Sequence, residues 1–132
     1  MSSHGPVRGV IVAHGAMAQG MVDAVRCIVG DAADALHAIS NDGKSPVQLR
    51  EEVETEAGGD PAVVFVDLQT GSCGMAALSA CRNGDSCRVV VCGVNLPMLL
   101  AFVFATDLPL DEVVGRVIEK GRAAITRPPS PS

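Results

Sequence analysis

Five consecutive apolar residues, Ala62-Val63-Val64-Phe65-Val66, constrain this chain more than any other stretch. A strand with one face in water alternates apolar and polar side chains, whereas a run without alternation has to be covered on both sides. Asp67 follows it directly. A second run, Val10-Ile11-Val12, ends in Ala13-His14-Gly15, and a third, Arg88–Cys92, ends in Gly93-Val94-Asn95. Residues 35–39 read as one further short strand, with His37 inside it in a structural place.

Helical periodicity fills the gaps. Ala18, Met21, Val22, Val25, Ile28 and Val29 recur at three- and four-residue steps, which predicts a helix over Met17–Val29 with Gly30 capping its end. Ser45-Pro46 supplies an N-cap and a proline at the first helical position. Leu49, Val53 and Ala57 then point inward, the glutamates at 51, 52, 54 and 56 outward, and Gly58-Gly59 stops the helix. A third helix is expected to leave Thr70-Gly71-Ser72-Cys73-Gly74 with Ala77, Leu78 and Cys81 inside, before a turn at Asn83-Gly84-Asp85. Pro97 opens an apolar helix over residues 98–105, and residues 111–121 carry the stripe Val113, Val114, Val117, Ile118. Residues 123–126 fit either a short last strand or a trailing end.

Strand and helix thus alternate four times, which predicts a three-layer α/β/α domain on a mainly parallel four-stranded sheet. With 132 residues there is room for one such domain, over residues 7–126, between a leader at 1–6 (with His4) and a Pro/Ser tail at 127–132. Aromatic residues are only 2% of the chain, so Val, Leu, Ile, Ala and Met have to build the core.

Several functions fail on composition or spacing. A net charge of −5 with scattered basic residues does not suit a nucleic-acid backbone. No apolar run reaches the roughly 18–20 residues of a membrane span, and the N-terminus lacks the charged start of a secretion signal, so a cytoplasmic protein is expected. The five cysteines, at 27, 73, 81, 87 and 92, contain no Cys-x-x-Cys pair, which argues for reduced thiols and against zinc. Gly43-Lys44-Ser45 lacks the first glycine of a phosphate-binding loop, Ala38 standing there. No G-x-G-x-x-G follows the first strand. Thr70 occupies the first glycine position of a nucleophile elbow around Ser72. A receiver domain needs an acidic pair where Ala13-His14 stands.

One constellation survives. In an open α/β sheet ligands sit at the carboxyl ends of strands. If the first strand lies between the second and third, His14 faces Asp67. A carboxylate on one imidazole nitrogen fixes the tautomer and leaves the other nitrogen as a nucleophile. The amides at Ser72, Cys73 and Gly74 open a helix and favour an anion. Gly15 and Gly71 permit close backbone approach. These parts suit a transient phosphohistidine, with no metal and no organic cofactor.

V-I-V-A-H-G at the first strand, V-F-V-D followed by G-S at the third and G-V-N-L-P-M-L-L after the fourth resemble the enzyme IIA domain of the mannose-type (mannose–fructose–sorbose) branch of the phosphoenolpyruvate-dependent sugar phosphotransferase system. The resemblance runs from about Val7 to Ile125. It implies a phosphotransferase in which His14 accepts phosphate from the phosphocarrier protein and hands it to a IIB component, Asp67 orients His14, and Ser72 bonds the phosphoryl group or Asp67. Thr70 and Cys73 depart from the family's G-G-S-P turn and alter the rim of the pocket. Asn95, Pro97 and Met98 match its N-L-P-M loop, shaping the site or a subunit contact, with packing alone equally open. The resemblance also implies a homodimer whose sheet a partner's C-terminal antiparallel strand completes, though the segment after Gly121 is short for that exchange. Three other readings stay open: a phosphorylation-dependent regulatory binding module, the phosphotransfer subunit of dihydroxyacetone kinase, and a hydrolase using Ser72.

Overall fold

Residues 5–82 and 87–129 are described in a computed structural model; His4 and the expected turn at Asn83-Gly84-Asp85 lie outside them. The β-branched runs form β1 (Arg8–Ala13), β2 (Leu36–Ser40), β3 (Ala62–Val66) and β4 (Arg88–Cys92). They make one sheet in the order β2-β1-β3-β4, with every neighbouring pair parallel. Strand β1 therefore lies between β2 and β3, and the chain reverses its direction of winding between β1 and β3. Val12 pairs in register with Val66, so the residues just beyond them leave the sheet side by side.

Five α-helices cover the sheet: α1 (Met17–Val29), α2 (Pro46–Ala57), α3 (Ser72–Cys81), α4 (Leu96–Val103) and α5 (Leu110–Ala123). Alternate residues of the strands face opposite layers. Ile11, Ala13, Val63, Phe65 and Val91 lie under α1, α4 and α5, where Phe65 meets Phe102 edge to face at 5.4 Å between centroids. Val10, Val12, Val64 and Val66 lie under α2 and α3 with Leu49, Val53 and Ala77. All five residues of β3 are fully buried. Each large one contributes about 1.5–3 kcal/mol to folding through the water it sheds, and that holds β3 at the centre of the three layers.

Local chemistry sets the helix ends. The Ser45 hydroxyl accepts from the Gln48 amide while the Gln48 side chain accepts from the Ser45 amide, a complete capping box. Gly30 and Gly58 close α1 and α2 through their amides. Arg88, at the start of β4, donates to the carbonyls of Gly58 and Ala80 and so places a cation at the carboxyl ends of α2 and α3.

The structure departs from the expected elements at several places, among them the last helix, which is longer than the expected 111–121 by one residue at its start and two at its end. A 3-10 turn, Gly30–Ala35, precedes β2, which is shifted by one residue to Leu36–Ser40. Ala33 is buried in that turn, so packing against α1 decides where the strand begins. Helix α3 buries Cys73, Gly74, Ala76, Ala77 and Ala80, whereas Leu78 and Cys81 are only half-buried; small side chains bring the helix close to the sheet, and the stripe starts in its first turn. Helix α4 begins at Leu96, because Asn95 accepts the Met98 amide as its N-cap. Residues 124–129 form no strand, so the described sheet ends at β4 with four strands. His37 is half-exposed, with Nδ1 3.6 Å from Glu56.

Candidate functional site

His14 leaves the end of β1 and Asp67 the end of β3, the two central strands, where the winding reverses. In doubly wound sheets this is the point at which helices diverge and leave a crevice. Asp67 holds His14 twice through one oxygen: Oδ2 accepts from the His14 amide at 3.0 Å and pairs with the ring Nδ1 at 2.7 Å. Its other oxygen accepts the Leu68 amide at 2.9 Å. Burial pushes the Asp67 carboxyl up, but the bonds from the His14 ring, the His14 amide and the Leu68 amide outweigh it and hold it below the ordinary carboxylate range. An ionised carboxylate only accepts, so in the neutral imidazole the shared proton belongs to Nδ1 and the lone pair is on Nε2. The Asp67 side chain is 9% exposed and that of His14 43%. The carboxylate lies beneath a ring that remains open to a reactant.

Two glycines give the ring room. Gly15 adopts φ 60° and donates its amide to Asn41 Oδ1 at 3.1 Å. Gly71, the N-cap of α3, has φ 106°, and a Cβ there would come within 3.8 Å of His14 Cε1 and Nε2. A side chain in that left-handed conformation would be strained as well as set against the exposed edge of the imidazole. The start of α3 is thus beside Nε2, with the first-turn amides of Ser72, Cys73 and Gly74 lacking the carbonyl partners that later turns possess.

Gly74 is pressed onto the loop after β3: a Cβ would fall on the Gln69 carbonyl oxygen and within 2.6 Å of the Leu68 carbonyl oxygen. Cys73 is fully buried. Burial raises its thiol pKa, the Asp67 charge adds to that, and a hydrogen bond with Ser72 acts against it. Ser72 is exposed and is not among the donors to Asp67. No hydrogen bond joins it to His14 among the described residues, so the nucleophile–base contact of a serine hydrolase is not formed.

His14, Gly15, Asp67, Gly71, Ser72, Cys73 and Gly74 therefore gather at one end of the sheet. Asn95, Pro97 and Met98 take a different place, at the exit of β4. Asn95 caps α4 and donates to the Gly121 carbonyl at 3.1 Å, tying α5 to that loop, and Met98 is buried. The neighbouring amides of Gly93 and Val94 both donate to the Val66 carbonyl, so this loop braces the residue just before Asp67.

Sequence reasoning missed Asn41, whose only signal is its position just past β2 at the same sheet end. It also missed an apolar rim. Met17, Leu68 and Met75 are 44%, 58% and 61% exposed; the Met17 amide bonds the His14 carbonyl, Leu68 follows Asp67, and the Met75 amide bonds Gly71. Beside Gly71 and Ser72 a groove of about 370 Å³ runs between α2 and α3 past Val47 and Met75. Another groove, about 540 Å³, lies at the opposite end of the sheet between Val7, Pro61 and Leu108, away from His14 and Asp67. Among the described residues no helix is long and apolar enough to cross a membrane.

Solved structures share this architecture. The mannose/sorbose-specific IIA subunit of the phosphotransferase system from Enterococcus faecalis superposes with a TM-score of 0.82 at 24% identity, covering 97% of this chain and 98% of its own. The phosphotransferase system component EIIA from Streptococcus agalactiae gives 0.84 at 24% identity, over 92% and 96%. A IIA protein associated with the fucose utilization operon of Streptococcus pneumoniae gives 0.73 at 21%, over 95% and 96%. At these identities the likeness shows the fold. No curated protein matches the sequence. The family model described as PTS system fructose IIA component matches residues 9–118, and the chain accordingly belongs to this EIIA-man family of phosphotransferase components of the sugar phosphotransferase system.

Proposed function

We propose that the protein accepts a phosphoryl group on His14 Nε2 from the phosphocarrier protein and passes it to a IIB component. The observation that carries this reading is the 2.7 Å contact between His14 Nδ1 and an ionised Asp67, with the ring otherwise open. In the first transfer the Nε2 lone pair forms an N–P bond as the carrier's N–P bond breaks. The Nδ1 proton stays on the ring, and the nearby carboxylate offsets the positive charge that develops there. The second transfer is the same displacement with His14 as leaving group. Both steps rest on positioning and electrostatics supplied by the protein.

Ser72 and the first-turn amides of α3 take the phosphoryl oxygens in this reading, since unpaired donors and the helix dipole favour negative charge there. Asp67 is already served by His14 and Leu68, which leaves the Ser72 hydroxyl for the phosphoryl group. Gly15 and Gly71 keep the approach to Nε2 clear. Cys73 and Gly74 seat α3 beneath it, and the exposed Met17, Leu68 and Met75 form an apolar rim for the two protein partners. Asn95, Pro97 and Met98 brace the site from the β4 side. Residues 7–126 act as a single unit in the cytoplasm. A homodimer belongs to the same proposal, supported by the open edge of β4, where Val89 and Val90 remain partly exposed.

The test is intact-mass analysis after incubation with phosphoenolpyruvate, enzyme I and the phosphocarrier protein. One phosphoryl group on the wild type, acid-labile and base-stable, and none on His14→Ala is the expected result. An unlabelled wild type, with a cognate carrier and a known IIA domain charged alongside, would overturn the reading.

A further inference from the structure

The transfer chemistry leaves one side chain at the pair unused, the buried sulfur of Cys73. One donor atom each from His14, Asp67 and Cys73 lies within 4.8 Å of the other two. Nitrogen, carboxylate oxygen and thiolate sulfur are all zinc donors, and three protein ligands with a fourth position open is a recurrent zinc arrangement. Ordinary zinc bond lengths put neighbouring donors of a tetrahedral ion roughly 3.3–3.7 Å apart. The 2.7 Å His14–Asp67 contact then opens by less than about 1 Å when an ion takes the place of the shared proton.

The donors come from the end of β1, the end of β3 and the first turn of α3, three places held by the buried sheet. Asp67 and a Cys73 thiolate together match the charge of a divalent cation, in a chain whose net charge is already −5. Asp67 and Cys73 are enclosed while His14 is open, so an ion enters beside the imidazole and its fourth position faces solvent. The sequence hides this set, because its members lie 53 and 6 positions apart (14 to 67, 67 to 73) and form no local metal-ligand spacing.

We propose that His14, Asp67 and Cys73 form an inhibitory binding site for a thiophilic divalent cation of the zinc type. On binding, the Cys73 thiol proton leaves to solvent, together with the Nδ1 proton if the ion takes that nitrogen. Coordination through Nδ1 removes the Asp67 hydrogen bond that fixes the tautomer, and coordination through Nε2 occupies the nucleophile. Phosphoryl acceptance is slowed either way. The binding stands independently of the proposed function; the inhibition rests on His14 being the phosphoryl acceptor.

The probe is Cd²⁺, titrated into protein carrying Cys27→Ser and Cys87→Ser, which removes the two exposed thiols. The expected result is one equivalent bound, with the ultraviolet charge-transfer band of a cadmium–thiolate bond and a shift of the His14 ring proton resonances. Replacing Cys73 by Ala, with folding checked by circular dichroism, is expected to weaken binding by more than the roughly 10–100-fold that loss of an outer-shell partner costs. Absence of the band, a band that survives Cys73→Ala, or unmoved His14 resonances would overturn the site. In a second arm, phosphorylated carrier freed of enzyme I is mixed with the protein with and without one equivalent of Zn²⁺. Transfer is expected to slow by about 10²-fold, the lower end of what a positioned imidazole contributes, and to recover with a chelator. Undiminished transfer would overturn the inhibition. No transfer without metal would overturn the acceptor role instead, while the cadmium band continued to report the site.

Discussion

Replacing Gly74 by alanine tests how closely helix α3 has to approach the loop that carries Asp67. The added Cβ would fall on the Gln69 carbonyl oxygen and within 2.6 Å of the Gln69 carbonyl carbon and the Leu68 carbonyl oxygen. These are backbone atoms, so no rotamer change relieves the overlap, and the loop or the helix has to move by roughly 1 Å to restore ordinary contact. Overpacking of this kind costs about 1–3 kcal/mol, against up to ~1 kcal/mol regained from alanine's better helix propensity. The expected net loss is about 1–2 kcal/mol, a fall in melting temperature of roughly 4–8 °C for a domain of this size. Gly115 in α5 is the internal control: it is exposed, and a Cβ there meets nothing within 4 Å. Gly115→Ala is expected to stabilise by about 0.5–1 kcal/mol. Thermal unfolding followed by circular dichroism measures both. The loop that moves holds Leu68, whose amide anchors Asp67, so phosphoryl acceptance by folded Gly74→Ala should also fall, measured by intact mass against time. If Gly74→Ala melts at or above the wild type and accepts phosphate at the normal rate, the steric argument is wrong.

Asp67→Asn keeps the shape of the side chain but can offer an N–H to the ring, which moves the imidazole proton to Nε2; transfer is expected to slow by about 10²–10⁴-fold, as wrong-tautomer changes do elsewhere, and an unchanged rate in a stopped time course would refute the tautomer argument. Asn95→Ala removes the cap of α4 and the bond to Gly121, with a cost of about 1–2 kcal/mol in urea unfolding; a loss within error would mean that the loop is held by packing alone. The Asp67 carboxyl has a lowered pKa in the folded protein, so its contribution to stability is complete above its ordinary value of 3.8 and is lost as pH falls through the lower folded value. The stability gap between wild type and Asp67→Asn should therefore be flat above about pH 4 and shrink only in stronger acid, and a gap that closed near neutral pH would contradict that sign.

The sequence by itself determined the layered class of this fold. The unbroken Ala62–Val66 run demanded cover on both faces, and the stripes over Met17–Val29 and over Pro46–Ala57 supplied it. Ser45-Pro46 fixed a helix start to the residue, because capping depends on chemistry within four positions. His14 and Asp67 were legible as strand-end residues with chemical potential for the same local reason. What no local pattern carries is how far apart these ends lie. The strand order β2-β1-β3-β4 brings positions 14 and 67 to 2.7 Å, and the sheet achieves this by pairing that depends on the whole core. The tertiary structure alone moved the inner face of α3 to Cys73 and Ala80, since the approach of that helix is limited by the Leu68–Gln69 backbone rather than by its own periodicity. It alone drew Asn41 to Gly15 and Cys73 to the His14–Asp67 pair. Periodicity reports which side of an element is buried; what that side touches is a property of the assembled layers.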